Sequence, residues 1–232
     1  MSYSETKAIW HPLESNPDVM NEYIHKLGVS NQWGFSDLWG LDDEALMFVR
    51  QPCLALLLLF PITENSENYS KDENERIKKE GQTISKNIYF SNQTIPNACG
   101  TMAILHALLN NTELVDIGDG TLKKIYEETK NLSPMEKAKY LEQSKDLASV
   151  HSEYSVKGQT SVSEAEDNVD LHFICFIQCD GDLYELDGRK EFPINHGKCD
   201  DLLKGAVKII KEVIERNPNS NEITAQVFTP ID

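Results

Sequence analysis

The sequence predicts a mixed α/β fold in which a central sheet is flanked by helices. An unbroken apolar run at residues 53–60, ended by Pro61, is too short for a typical buried helix and is typical of a central strand covered on both faces. Residues 171–189 form a hairpin pattern with Asp180 and Gly181 as the turn. Amphipathic helical patterns precede, separate and follow these strands, which favours layers of helix on both sides of the sheet.

The first helix is predicted over residues 17–27, because Asn16 is a good cap, Pro17 suits the first helical position and Gly28 ends the apolar period. A second helix is predicted to begin at Asp42. Ser133, Pro134 and Glu136 form a strong start signal for a later one. The remaining helical patterns cover residues 99–109, 122–129, 133–147 and 201–216.

The other segments give weaker patterns. Residues 64–82 are polar and charged and predict a surface loop or a frayed, exposed helix, whereas residues 87–90 and 223–228 predict strands. Residues 150–169 show neither period, and a structureless stretch of this length is usually functional or disordered. With 232 residues and no internal repeat, we expect one domain over residues 1–232.

Composition limits the class of protein. The formal net charge of −16 disfavours nucleic acid and anionic membranes and favours a basic partner. The alternative, that the acidity serves solubility alone, is equally open. The first residues hold no apolar core of signal-peptide length, and residues 53–60 are too few to cross a bilayer. We therefore expect a soluble protein of the cell interior, in the cytoplasm with possible access to the nucleus, whose five cysteines are reduced thiols.

The hairpin places a histidine beside a carboxylate. If Asp180 and Gly181 are the turn residues, His172 lies on the same face as Asp187 and is its diagonal neighbour, about 7 to 8 Å away between Cα atoms. This distance lets the two side chains form a hydrogen bond. We expect Asp187 to hold the Nδ1 atom of His172 and to leave Nε2 free to act on a nucleophile.

The best candidate nucleophile is Cys99, in the stretch QTIPNACGTM. It stands at the start of a predicted helix, where backbone N–H groups and the helix dipole favour thiolate over thiol. Gly100 would let a substrate backbone approach, and the Gln93 side chain with the Cys99 backbone N–H would form an oxyanion hole. An isolated cysteine at a helix start is more often a packed small residue, and spacing alone does not bring Cys99 to the hairpin.

Other cysteine chemistry is less favoured. Cys175 and Cys53 read as core residues. Cys179 and Cys199 with His196 lack the C-x-x-C pairs of common metal sites, so we expect no metal and no cofactor. A thiol redox protein that uses these cysteines is a weaker hypothesis.

The stretches QTIPNACGTMAILHALLNN, DLHFICF and LYELDGRKEFPINHG closely resemble the ubiquitin carboxyl-terminal hydrolases, in particular the short single-domain group of the L-three isozyme type. The resemblance extends over nearly the whole chain. It implies a papain-like catalytic core with a knotted backbone, a rare exception to the rule against threading. It also implies that Cys99 is the nucleophile, His172 the general base and acid, Asp187 its orienting partner and Gln93 the oxyanion donor.

The implied activity is a cysteine-type deubiquitinase that removes small adducts, esters, amides or short flexible peptides from the C-terminal glycine of ubiquitin. In relatives a long loop crosses the active site, and residues 150–169 would be that loop here. The implied partner is ubiquitin or a close ubiquitin-like modifier, bound by a monomer. The alternative is a module that sequesters ubiquitin with little turnover. The resemblance also assigns four residues to the ubiquitin surface: Pro12, Leu13, Glu14 and Asp37. For two of them an ordinary structural role is open, with Leu13 in the core and Asp37 capping a turn.

Overall fold

The computed structural model describes residues 10–158, 170–218, 220 and 222–231. Its centre is a six-stranded antiparallel sheet in the order β1-β6-β2-β3-β4-β5. The strands are β1 (Trp33–Asp37), β2 (Ala55–Pro61), β3 (Leu171–Cys179), β4 (Asp182–Leu186), β5 (Ile194–Lys198) and β6 (Thr224–Pro230). The predicted apolar strand is β2, which pairs with a neighbour on each side.

Helices cover both faces of this sheet, which confirms the predicted mixed α/β class. They are α1 (Pro17–Leu27), α2 (Asp43–Leu46), α3 (Glu64–Glu80), α4 (Cys99–Leu109), α5 (Thr121–Thr129), α6 (Pro134–Gln143), α7 (Lys145–Tyr154) and α8 (Leu202–Arg216). Successive side chains of β2 point to opposite faces. Leu57 packs in the core that contains α4, whereas Leu56 and Leu58 pack in the core that contains α8.

The helix α4 lies inside the protein. Every residue from Gly100 to Leu109 is buried, so this helix is covered all round rather than along one stripe. It packs on β2 and β3 on one side and is covered by other helices of the same core on the other. The start of α4 is thereby fixed against the start of β3.

The structure decides between the alternatives for one segment and contradicts the prediction for another. Of the two alternatives for residues 64–82, the helix is correct: α3 begins with a capping box formed by Thr63 and Ser66 and buries Ile77. Residues 87–90 are not a strand. The backbone of Tyr89 pairs instead with the side-chain amide of Asn110, at 2.7 Å for the N–H and 2.8 Å for the carbonyl. The Asn110 amide thus forms the backbone hydrogen bonds that a neighbouring strand would otherwise form.

Two predicted boundaries were also wrong. The single helix over residues 133–147 is two helices, α6 and α7, because Ser144 turns the chain and caps α7 through its side chain. The loop predicted to begin at residue 150 begins later, since α7 continues to Tyr154. Residues 159–169 of that loop lie outside the described residues, and the knotted path stays a prediction. Across the described residues, no helix is long and apolar enough to cross a membrane. The cytoplasmic location also stays a prediction.

Candidate active site

The hairpin has the predicted register. Cys179 pairs with Asp182, and β4 ends at Leu186, so that Asp187 is the first residue beyond the strand. Nε2 of His172 donates to Oδ1 of Asp187 at 2.7 Å. Both side chains are almost completely buried, with 4% and 7% of their residues' surfaces exposed. The structure therefore brings His172 and Asp187 into direct contact, as the diagonal relation predicts.

The expected ring orientation of His172 was wrong. Asp187 holds Nε2 and not Nδ1, so Nδ1 is the ring nitrogen left to face the nucleophile. The Cys99 thiol forms a hydrogen bond with this histidine. Asp187 is itself held, because the Arg189 backbone N–H donates to Oδ1 at 2.9 Å. An edge contact from Phe60, with ring centroids 6.0 Å apart, packs against the imidazole.

The chain before Cys99 and the residue after it set the position of the thiol. Asn97 adopts the left-handed backbone region (φ 61°) just before α4, and the N-cap Ala98 has no capping side chain. A Cβ added at Gly100 would lie 3.1 Å from Leu13 Cβ and 3.4 Å from the Phe173 ring. The protein itself fills the space beside Gly100, contrary to the expectation that a substrate backbone would use it. The glycine allows α4 to approach β3 closely enough for Cys99 to contact the histidine.

The electrostatics favour a thiolate and imidazolium pair. Burial opposes ionisation of Cys99, but the hydrogen bond and charge of His172 outweigh it and lower the pKa of the thiol. Burial alone would lower the pKa of His172, whereas the Asp187 carboxylate and the sulfur together raise it to about 9. The pKa of Asp187 is lowered: its burial is outweighed by His172, the Arg189 N–H and the nearby Lys190 charge. Asp187 therefore remains a carboxylate that stabilises the protonated histidine.

Gln93 lies beside the turn that carries Asp187. Its backbone N–H donates to the Gly188 carbonyl at 2.7 Å, and a Cβ at Gly188 would lie only 2.9 Å from Gln93 Cβ. The side-chain amide donates to the Ile95 carbonyl at 3.1 Å, within the loop that leads into Cys99. The side-chain oxygen is buried, and none of the residues that the structure describes forms a hydrogen bond with it. Gln93 thus joins the aspartate turn to the nucleophile loop.

Comparison with known proteins identifies the family. Residues 10–215 match the family model described as "Ubiquitin carboxyl-terminal hydrolase, family 1". The chain belongs to the ubiquitin carboxyl-terminal hydrolase family. It is 44% identical over 223 residues to "Ubiquitin carboxyl-terminal hydrolase 3" of Arabidopsis thaliana, covering 94% of this chain and 93% of that protein. It is 43% identical over 217 residues to "Ubiquitin carboxyl-terminal hydrolase isozyme L1" of Rattus norvegicus, covering 92% and 95%.

A solved structure supports the fold assignment. The catalytic domain of Trichinella spiralis UCH37, bound to ubiquitin vinyl methyl ester, superposes with a TM-score of 0.78 at 24% identity and covers 99% of both chains. The family resemblance stated from sequence is confirmed by the family model and the two relatives. Members of the ubiquitin carboxyl-terminal hydrolase family are thiol-dependent cysteine peptidases, and this chain is a cysteine-type deubiquitinase by membership.

The four residues assigned to the ubiquitin surface have different environments. Leu13 is 5% exposed and belongs to the core. Pro12, Glu14 and Asp37 are partly exposed. Glu14 accepts from the Asn16 side chain at 3.3 Å, and Asp37 accepts from the Gln226 side chain at 3.4 Å. Leu13 therefore supports the segment from inside, while the other three keep part of their surface exposed.

Sequence reasoning missed a buried ionic cluster behind the active site. Lys190 Nζ lies 2.7 Å from carboxylate oxygens of both Glu73 and Glu185, and all three side chains are buried. His196 lies 3.1 Å from the other oxygen of Glu185. The backbone N–H of Lys190 also donates to the carbonyl of Asp187. No sequence signal identified this cluster, because Glu73 lies in α3, in a polar and charged stretch that the sequence predicts to be exposed.

The remaining cysteines have other surroundings. All five are free thiols. Cys175 is fully buried, and burial raises its pKa well above the ordinary value. Cys179 contacts Ser85, and Cys199 packs against Gly205. In the described part of the chain, no three histidine, cysteine or acidic residues cluster as metal ligands.

Proposed function

We propose that this chain hydrolyses the bond after the C-terminal glycine of ubiquitin, with Cys99 as the nucleophile, His172 as general base and acid, Asp187 as its orienting partner and Gln93 as oxyanion donor. The observation that carries the proposal is the chain of contacts from the partly buried Cys99 thiol to the buried His172 imidazole and Asp187 carboxylate. This arrangement suits acyl transfer to sulfur, because the hydrogen bond and charge of His172 lower the pKa of the Cys99 thiol and so favour the nucleophilic thiolate.

The chemistry follows from these positions. The Cys99 thiolate attacks the glycine carbonyl carbon, and the new oxyanion accepts hydrogen bonds from the Cys99 backbone N–H and from a Gln93 side-chain N–H. As the carbonyl reforms, the bond to the leaving group breaks and His172 gives that group its Nδ1 proton. Water then attacks the thioester while His172 takes up its proton. The carbon–sulfur bond breaks, which returns the thiolate and releases ubiquitin with a free carboxylate.

The substrate side of the proposal rests on charge and on residues 10–14. The formal net charge of −16 suits the arginine-bearing tail of ubiquitin. Pro12, Glu14 and Asp37 would contact ubiquitin directly, and Leu13 would hold the segment in place. The leaving groups we propose are small amines, thiols, alcohols or short flexible peptides, because residues from about 155 to 169 would cross the active site and exclude a folded protein.

The organisation of the chain is also proposed. We infer one hydrolase domain over residues 1–232 that acts as a monomer. The catalytic residues come from α4, β3 and the turn after β4, which belong to a single sheet and its covering helices. Separate binding and catalytic units are therefore not needed.

The test is steady-state hydrolysis of a fluorogenic amide of the ubiquitin C-terminus, with ubiquitin affinity measured in parallel. We expect Cys99→Ala to abolish turnover and to leave the dissociation constant for ubiquitin within about twofold. Cys175→Ala is the matched control, since it removes a buried thiol that does not touch the triad, and it should retain turnover. Unchanged turnover in Cys99→Ala would refute the assignment of the nucleophile. Tight binding by the wild type without acylation would favour the sequestering module.

A further inference from the structure

The segment of residues 10–14, called here the N-terminal segment, lies across the first turn of α4. Leu13 packs against Gly100, the residue after the nucleophile. The Trp10 backbone N–H donates to the Pro96 carbonyl at 3.4 Å, in the loop before α4. If Pro12 and Glu14 contact ubiquitin as proposed above, the position of this segment relative to Cys99 sets where the bound ubiquitin tail meets the thiol.

A buried histidine that the mechanism does not use holds this segment. His151, on α7, is 1% exposed. Its Nε2 lies 2.8 Å from the His11 carbonyl oxygen in the N-terminal segment, and its Nδ1 lies 2.9 Å from Thr101 Oγ1 in the first turn of α4. Its ring stacks on Trp10, with centroids 4.2 Å apart and planes inclined by 27°. One imidazole therefore joins three parts of the chain.

The direction of these hydrogen bonds follows from their chemistry. A carbonyl oxygen only accepts, so Nε2 of His151 carries the proton that it donates to His11. In the neutral ring Nδ1 then accepts, and Thr101 must donate to it. Tyr23 Oη lies 3.0 Å from Thr101 Oγ1 and must donate in turn. Burial lowers the pKa of His151 to about 4, which keeps the ring in this neutral form at physiological pH.

The same helix also leads toward the proposed crossover loop. Residues 155–158 follow α7 directly, and a Cβ added at Gly158 would meet the Glu14 carboxylate. The N-terminal segment is thus in contact with α7 through His151 and with the chain that leaves α7 through Gly158. One end of the segment thus contacts α7 itself, and the other end lies against the chain that follows this helix.

We propose that His151 is a positioning residue for the reaction: it locks the N-terminal segment to the first turn of α4, so that the ubiquitin-binding residues keep a fixed position relative to Cys99. The inference rests on the proposed function, because it assigns this segment to ubiquitin. It predicts an effect on substrate binding and little effect on the chemical step.

The experiment compares substitutions that remove the hydrogen bonds but keep volume. His151→Phe keeps a ring to stack on Trp10, and Thr101→Val removes the hydroxyl. Thr101→Ser, which retains the hydroxyl, is the conservative control. We expect the first two to raise KM for the ubiquitin amide about tenfold, with kcat within about twofold of the wild type, and the serine variant to behave as wild type. Alkylation of Cys99 by iodoacetamide should keep its wild-type rate. Tyr89→Phe is the matched control, because it removes a buried 2.8 Å hydroxyl contact to Thr129 away from the segment.

Hydrogen exchange of peptides covering residues 10–14 gives the second measurement. Faster exchange in His151→Phe and Thr101→Val, but not in Thr101→Ser or Tyr89→Phe, together with the raised KM supports the proposal. Unchanged exchange in the segment overturns it, and so does faster exchange with unchanged KM. If the wild type binds ubiquitin without hydrolysing the amide, the proposed hydrolysis fails. The dissociation constant for ubiquitin then replaces KM, and the same criteria decide the role of His151.

Discussion

Replacing Asp187 by asparagine isolates the charge of the triad carboxylate from its shape. The asparagine side chain has the same size, and its oxygen retains the ability to accept from His172 Nε2 and from the Arg189 N–H. The negative charge beside the imidazolium is lost. We therefore expect a folded protein whose ion pair between Cys99 and His172 is weakened.

The magnitude follows from the histidine pKa. Burial alone would lower this pKa, yet Asp187 and then Cys99 raise it from 6.5 to about 9. At about 1.4 kcal/mol per pKa unit, the folded protein favours imidazolium by roughly 3 kcal/mol, of which the carboxylate supplies the larger share. Loss of this share corresponds to a fall in kcat/KM on the order of 100-fold.

The assay is the pH dependence of kcat/KM over roughly pH 6 to 10. In the wild type, activity should fall as pH rises through about 9, where His172 loses its proton. In Asp187→Asn the alkaline fall should move to lower pH, because the pKa of His172 returns toward its ordinary value. Thermal unfolding of both proteins controls for misfolding. A folded variant with rates within a few-fold of wild type and an unmoved alkaline limb would refute the reasoning.

Three further predictions concern stability, packing and association. Lys190→Met should lower the free energy of unfolding by about 3 to 5 kcal/mol in urea titration, because two buried carboxylates lose the lysine that they share. Lys123→Met, at an exposed pair, should change little, and equal effects would contradict the buried cluster. Gly100→Ala should slow acylation of the enzyme about tenfold or more, because the added Cβ would press on Leu13 and Phe173 and displace α4. A wild-type acylation rate would show that this close packing is not needed. Association with ubiquitin should slow as salt shortens the Debye length below about 10 Å, and an on-rate independent of salt would leave the acidic surface a role in solubility alone.

The parts of the fold that the sequence predicted are those fixed by local chemistry. Asn16 caps the start of α1 and Gly28 ends it, as expected, because a capping side chain and a left-handed glycine act within a few residues. The two-residue turn at Asp180 and Gly181 sets the hairpin register, and with it the closeness of His172 and Asp187. Neighbouring residues alone determine these features.

The parts that could not be predicted depend on distant contacts. Within the described ranges, the edge strands β1 and β5 each pair with a single neighbour, and both have mixed polar patterns, so periodicity did not reveal them. The strand predicted at residues 87–90 is absent because Asn110 bonds the backbone there. The approach of Cys99 to His172 requires the packing of α4 on β3, and the spacing of residues along the sequence does not predict this packing. The choice of Nε2 over Nδ1 likewise depends on the ring's orientation against Phe60.

The central claim is that Cys99 attacks the C-terminal carbonyl of ubiquitin. The most direct measurement is mass spectrometry of the intact protein after mixing with ubiquitin that carries a C-terminal electrophile, for wild type and Cys99→Ala side by side. The account predicts a stoichiometric covalent adduct, mapped by peptide digestion to Cys99 and absent from the variant. An adduct on another cysteine, or none while ubiquitin still binds, would contradict it.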